Sequence, residues 1–262
     1  MTFMKHELKM NFKALLIWTL VVGGMIFCFM LIFPTMEESM GELSGAYSQM
    51  GDFSTAFGMD KINIATPMGF FGIEIGATLS LGGAMFAAIG GIGMLAKEEG
   101  GHTTEFVFVT PNKRTYFITS KMIACVILIG LFDMACMILG ILGFVCINEE
   151  LIWKQYLLFF LAQFLMHLEI AGICFGISAF LRKNNIGLGI GIAMLLYFVN
   201  LFANITDKVE NLHYITPFSY SDAADIFVTE KLQTEYLISG MIVMVMFVLA
   251  GYVRYCRKDL NI

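Results

Sequence analysis

The sequence predicts an all-α polytopic membrane protein with six transmembrane helices, and three observations carry that prediction. Of 262 residues, 58% are apolar and only 14% are charged, where a soluble domain has about 45–50% and about 25%. Six apolar runs reach the roughly 20 residues that a helix needs to cross a ~30 Å hydrocarbon core. The runs are continuous rather than alternating, which excludes the strands of a membrane barrel. A mean hydropathy of +0.78 also excludes a disordered chain, which fails to fold because it lacks apolar residues to bury. The net charge of −5, with no basic stripe, argues against a nucleic-acid partner.

The spans are expected at 14–33, 67–96, 116–147, 151–181, 186–205 and 236–253, within one transmembrane domain covering 1–262. The first follows Lys5, Lys9 and Lys13. Its run is longer than the apolar core of a signal peptide, and Phe33-Pro34-Thr35-Met36 offers no small-residue cleavage site, so it reads as a retained span. Upstream, Met4, Leu8 and Phe12 recur at i, i+4 beside the lysine row. That pattern predicts a short interfacial helix meeting membrane lipid through Lys5, Leu8, Lys9 and Phe12. The second, third and fourth spans exceed the minimum length and are expected to tilt, bend or protrude. Asn148-Glu149-Glu150 and Arg182-Lys183-Asn184-Asn185 form tight turns between successive spans. The first outer connection, 34–66, is expected to mix helix extensions with loop. The stretch 206–235 contains Tyr214-Ile215-Thr216-Pro217-Phe218. It is too apolar for a free loop and too short to cross twice, so short helices dipping into the outer leaflet are expected, with protein covering their backbone.

Lys61, Lys154, Lys208 and Lys231 fall on one side of these spans, and the other 12 of the 16 basic residues fall on the opposite side. The richer side is cytoplasmic, which puts both termini inside. Glycine concentrates in the spans, with Gly72 and Gly76, Gly172 and Gly176, and Gly187 and Gly191 each four apart. Such pairs let helix backbones approach closely, either within the chain or between two chains. The six cysteines form no C-x-x-C pair and lie almost entirely in apolar runs, where they act as small buried hydrophobes. No metal site is expected, and no phosphate-binding G-x-x-x-x-G-K-[ST] stretch occurs.

Ionisable residues inside the spans are few: Glu74, Asp133, His167 and Glu169. Charge at the bilayer centre is costly, so each must face protein or water. His167 and Glu169, two apart, point to different helix faces. Glu74, Asp133 and Glu169 line a translocation path on one reading and make interhelical hydrogen bonds on the other. The first reading leaves room for an ion-coupled secondary transporter or channel. Glu98-Glu99 near a membrane boundary superficially resembles the glutamic intramembrane proteases, but Thr103 stands where their arginine would be.

The most informative segment is Lys97 to Lys121, KEEGGHTTEFVFVTPNKRTYFITSK. It lies between spans two and three on the cytoplasmic side and mixes charge with the run Phe106-Val107-Phe108-Val109. A solvated loop does not need that run, whereas a short amphipathic helix docking on a soluble partner does. Here the chain resembles the type-two ABC exporter permeases. Their loop carries Thr, Glu two later, Pro six after that, Arg three further and Lys seven further, matched by Thr103, Glu105, Pro111, Arg114 and Lys121. The family's glycine before the threonine is replaced by His102, with Gly100-Gly101 displaced upstream. Tyr214-Ile215-Thr216-Pro217-Phe218 is similar to the family's Pro-Phe segment before the last span, and Arg257-Lys258-Asp259 to its tail.

The resemblance implies that the loop is a cytoplasmic coupling helix seated in a groove of an ATP-binding subunit. Glu98, Glu99, Thr103, Thr104, Glu105, Phe106, Phe108, Pro111 and Arg114 would carry the docking. It further implies two copies of that subunit, a second permease chain that is identical or related, and ATP and magnesium held by the partner rather than here. The chain itself would be no enzyme. Its small size and short inner loops resemble exporters of antimicrobial peptides or drugs in the plasma membrane of Gram-positive bacteria.

Overall fold

The structure, a computed structural model, describes residues 2–47, 50–100, 114–205 and 207–257. Among them there are helices and turns and no strand. Six helices are long and apolar enough to cross a membrane; each contains one of the six apolar runs, and the first, Phe3–Gly41, reaches well beyond the expected 14–33 at both ends.

The first begins as α1 (Thr2–Trp18), passes through a π-helical turn at Thr19–Gly23 and continues as α2 (Gly24–Tyr47). The N-terminal segment is therefore helical, but it runs without a break into the first span and is not the separate short helix expected, because no helix-breaking residue stands between Lys13 and Gly23. Pro34 lies inside α2 rather than at its end. A proline costs a helix one backbone hydrogen bond, and here the helix carries on for another 13 residues to Tyr47. Short α3 (Asp52–Ala56) follows. Thr66 then caps α4 (Pro67–Phe70), its hydroxyl accepting from the Gly69 amide at 3.1 Å. Proline at the first helical position gives up a donor that would have had no partner. A second π-helical turn, Phe71–Ile75, joins α4 to α5 (Gly76–Gly100).

Helix α6 (Arg114–Cys146) is followed two residues on by Asn148, whose φ of 56° is the left-handed conformation that closes many helices. Helix α7 (Trp153–Ser178) follows, and after it α8 (Ile186–Ile205), whose first turn is held by Asn185 Oδ1 accepting from the Leu188 amide at 3.2 Å. The last connection is structured throughout its described length. It holds 3₁₀ turns at Asp207–Tyr214 and Ser219–Ser221, then α9 (Ala223–Thr229), capped by Asp222. Helix α10 (Thr234–Arg257) completes the described chain.

Helices α5 and α7 form the centre and make the most extensive contact with each other. The span Pro67–Lys97 is mostly buried within the chain and α10 is mostly exposed, so α5 is a core helix and α10 a peripheral one. The first rod packs on α6, α8 on α5, and α10 on α7. Several glycine pairs fall at these seams. Gly172 faces Met244, Gly176 meets Gly251 and the Phe247 carbonyl, and Gly72 and Gly76 face Phe227 and Ala223. These are contacts within the chain. Gly191 differs, with nothing within 4 Å of where a Cβ would stand.

One end of the bundle is basic. There Glu7 of α1 meets Lys97 of α5 and Lys121 of α6, and Arg114 donates to the Cys256 carbonyl of α10 at 3.2 Å. The start of α1 and the end of α10 therefore share a side. At the opposite end Lys154 pairs with Glu230 and Lys61 with Asp225. Burial alone would lower the Lys61 ammonium, but its hydrogen bond and charge pairing with Asp225 outweigh that and raise it.

Candidate functional site

The polar interior begins on α7. Gln163, His167 and Glu169 are fully buried on a helix that is otherwise almost wholly apolar. A buried polar group needs a hydrogen-bond partner, and in lipid the need is stronger because no water is available. The fold supplies partners from three directions. From α5, Ser80 donates to Gln163 Oε1 at 3.1 Å. From α6, Asp133 Oδ1 meets His167 Nδ1 at 2.9 Å. From the last connection, the Ser221 carbonyl accepts from Gln163 at 3.0 Å, and the Tyr220 hydroxyl donates to Glu169 at 2.9 Å. Asp133 Oδ2 and His167 Nε2 are buried without a hydrogen-bond partner among the described residues.

The last connection reaches deep into the bundle. Thr216, Ser219, Tyr220 and Ser221 are all buried. The Thr216 hydroxyl donates to the Leu196 carbonyl at 2.8 Å, nine residues inside the Ile205 end of α8, or about 13 Å at the rise of an α-helix. Ser219 donates to Asn200 Oδ1 at 3.0 Å. The stretch thus enters the bundle, and α7 and α8 supply partners for its buried polar groups.

At the basic end the Glu7 carboxylate accepts from two ammonium groups, that of Lys97 and, at 2.6 Å, that of Lys121. The side chains of Glu7 and Lys121 are 4% and 0% exposed. Lys121 also lies over the Phe117 ring at 4.9 Å, and Phe3 of α1 meets that ring edge-on at 5.5 Å. Asn11 donates to Glu7 from one turn along. The buried row of the first rod is therefore Glu7, Leu15, Val22, Ile26 and Met30, while Phe12 is 51% exposed, Lys5 and Lys9 are exposed and Leu8 is half-buried.

The residues singled out from the sequence are thus distributed as follows. Glu98 and Glu99 fall in the last turn of α5, and Arg114 opens α6. Thr103, Thr104, Glu105, Phe106, Phe108 and Pro111 lie outside the described residues. Of the three intramembrane carboxylates, Asp133 and Glu169 are buried and engaged within the chain. Glu74, in the π-helical turn, is half-buried. Glu7, Gln163 and Tyr220 are the polar residues that sequence reading missed. The available signal for Glu7 was its place four residues before Asn11 and eight before Leu15, on one helical stripe.

A family model described as ABC-2 family transporter protein matches residues 1–260. The chain belongs to that family. No curated protein matches it. The chain is accordingly a permease subunit of an ABC transporter, a multi-pass membrane protein that works with an ABC ATP-binding partner. In this permease the basic end brings together the flanks of the segment from Lys97 to Lys121 that carries the family resemblance. The buried polar spine of α7 lies farther along the bundle and holds the last connection in place.

Proposed function

We propose that the chain is the membrane subunit of an ATP-driven exporter in a bacterial plasma membrane, with both termini cytoplasmic. Two permease chains, identical or related, each dock one ATP-binding subunit through Glu98, Glu99, Thr103, Thr104, Glu105, Phe106, Phe108, Pro111 and Arg114. The partner binds ATP and magnesium, and its closure moves the docked segments. The aromatic residues supply apolar grip, and the carboxylates and Arg114 fix the register. The proposed cargo is an antimicrobial peptide or a drug. The basic end supports the orientation, because the positively charged side of a membrane protein faces the cytoplasm.

One observation carries the transport reading beyond the family. Glu74 in the π-helical turn and Thr78, Leu81, Met85 and Ile89 on α5 recur at helical spacing and are all half-buried, although α5 is the core helix. A half-covered stripe on the most central helix is a surface that a second permease chain completes, and the path runs along it with Glu74 at its outer mouth. Asp133 and Glu169, engaged within the chain, contribute by holding α6, α7 and the last connection around that path.

The test is purification from native membranes. The expected result is an ATP-binding subunit that copurifies and hydrolyses ATP, and whose association is lost when Thr104–Val109 is deleted. Flux through the purified chain alone in liposomes, driven by an ion gradient and abolished by neutralising Glu74, would replace this reading with a secondary transporter.

A further inference from the structure

We propose that Glu7 is the positioning residue that carries movement of the ATPase-docking segment into the first span. The inference rests on the docking reading above. Glu7 is on α1, Lys97 is the 22nd residue of α5, and Lys121 is the eighth residue of α6. The two lysines therefore stand on the two stems of the docking segment, one before it and one after it. A single buried carboxylate accepting from both joins three helices at one point, with Lys121 fully buried and Lys97 27% exposed. Charge-assisted hydrogen bonds in such surroundings are short, strong and directional. Displacement of either stem therefore pulls on Glu7.

The first span is built to receive that pull. From Phe3 to Gly41 it is one rod of 39 residues, about 58 Å long at the helical rise, so it conveys a displacement at Glu7 across the bundle. Its π-helical turn at Thr19–Gly23 is the kind of local irregularity that recurs at functional sites. Beside the tie lies a cavity of about 110 Å³ lined by Asn11, Trp18, Gly90, Gly93, Lys97 and Cys125. It gives α1 room to shift against α5. Phe3 on Phe117, and Phe117 stacked on Tyr255 at 6.3 Å, keep α1, α6 and α10 in register while it does so. A tie serving stability alone needs neither the second lysine on a separate stem nor the free space next to it.

The experiment uses the complex of permease and ATP-binding subunit in lipid nanodiscs. Spin labels are placed at Lys13→Cys and Lys183→Cys, both exposed positions, with the accessible Cys28, Cys146 and Cys256 replaced by alanine. The distance between labels is measured by double electron–electron resonance, with and without trapping by ATP and vanadate. Lys97→Gln cuts the tie to the first stem and leaves the buried Glu7–Lys121 pair intact, and Lys97→Arg restores the charge. The wild-type and Lys97→Arg complexes are expected to shift by several ångströms on trapping. Lys97→Gln is expected to lose at least half of that shift while its ATPase stays bound and hydrolyses ATP at the wild-type rate. Glu7→Gln should lose more. A full shift in Lys97→Gln, or no shift in the wild type, overturns the proposal while leaving the docking reading standing. Failure of the unmodified chain to retain an ATP-binding subunit overturns the docking reading and this proposal with it.

Discussion

The side chains that matter most in this permease are polar groups in an apolar interior, and each is defined by its neighbour. Glu169 is 1% exposed and takes its hydrogen bond from Tyr220. Tyr220→Phe removes that donor and leaves a buried carboxyl unsatisfied, at a cost of about 1–3 kcal/mol. A lower melting temperature of the detergent-solubilised chain, with no such loss in Tyr214→Phe at an exposed position, is the expected outcome. Gly83 shows the same dependence from the other side. A Cβ there would collide with the His167 ring, with Nδ1 at 3.0 Å and two further ring atoms closer still. Gly83→Ala therefore displaces the imidazole from Asp133 and costs about 1–3 kcal/mol through overpacking, read in the same thermal assay.

Among the elements, the seam between α7 and α10 is the clearest case of packing set by missing side chains. A Cβ on Gly251 would stand 2.7 Å from the Gly176 Cα and 2.9 Å from its carbonyl oxygen. Those are backbone atoms and cannot swing aside. Helix association in lipid relies on close packing rather than on a hydrophobic driving force, so Gly251→Ala pushes α10 away from α7. The expected result is reduced thermal stability and faster proteolysis of α10. Gly191→Ala on α8 adds a methyl group where the chain has nothing within 4 Å, and alanine is the better helix former by about 0.8–1 kcal/mol. It is expected to be neutral or stabilising in the isolated chain. The glycine spacing is the same in both regions, and only the neighbour differs.

At the scale of the whole molecule, the permease is a bundle with a finished core and, on the reading proposed above, an unfinished face that a second chain covers. The finished part surrounds α5 and α7, where Phe71 sits among Phe144, Tyr156, Phe159 and Phe160 with ring centroids 5.3–6.4 Å apart. The unfinished face is the stripe from Glu74 to Ile89. Single cysteines at Leu81 or Met85, in a chain cleared of its exposed native cysteines, are expected to cross-link two permease chains under mild oxidation. A cysteine at Ile123, exposed on α6, is expected to face lipid and stay monomeric on a denaturing gel. The reverse pattern would move the interface to α6 and separate the path from α5.

The fold was largely legible in the sequence. A helix that crosses lipid must be long, apolar and internally hydrogen-bonded, so the runs fall within a few residues of the span Pro67–Lys97 and of α6, α7, α8 and α10. The rod Phe3–Gly41 extended past its expected limits because lysines upstream and Pro34 downstream mark composition, not the end of a helix. The family was legible in the spacing Thr103, Glu105, Pro111, Arg114 and Lys121. Partnership was not legible. Glu7 and Lys121 are 114 positions apart and Asp133 and His167 are 34 apart. The stripe of Glu7, Asn11 and Leu15 points Glu7 inward, but nothing in the local pattern names Lys97 and Lys121 as its partners or says that Tyr220 reaches Glu169. Hydropathy is a property that each residue carries with it, so the chain alone determines which segments enter the membrane. The pairing of charges depends on which helix faces come together, and only the packed bundle decides that.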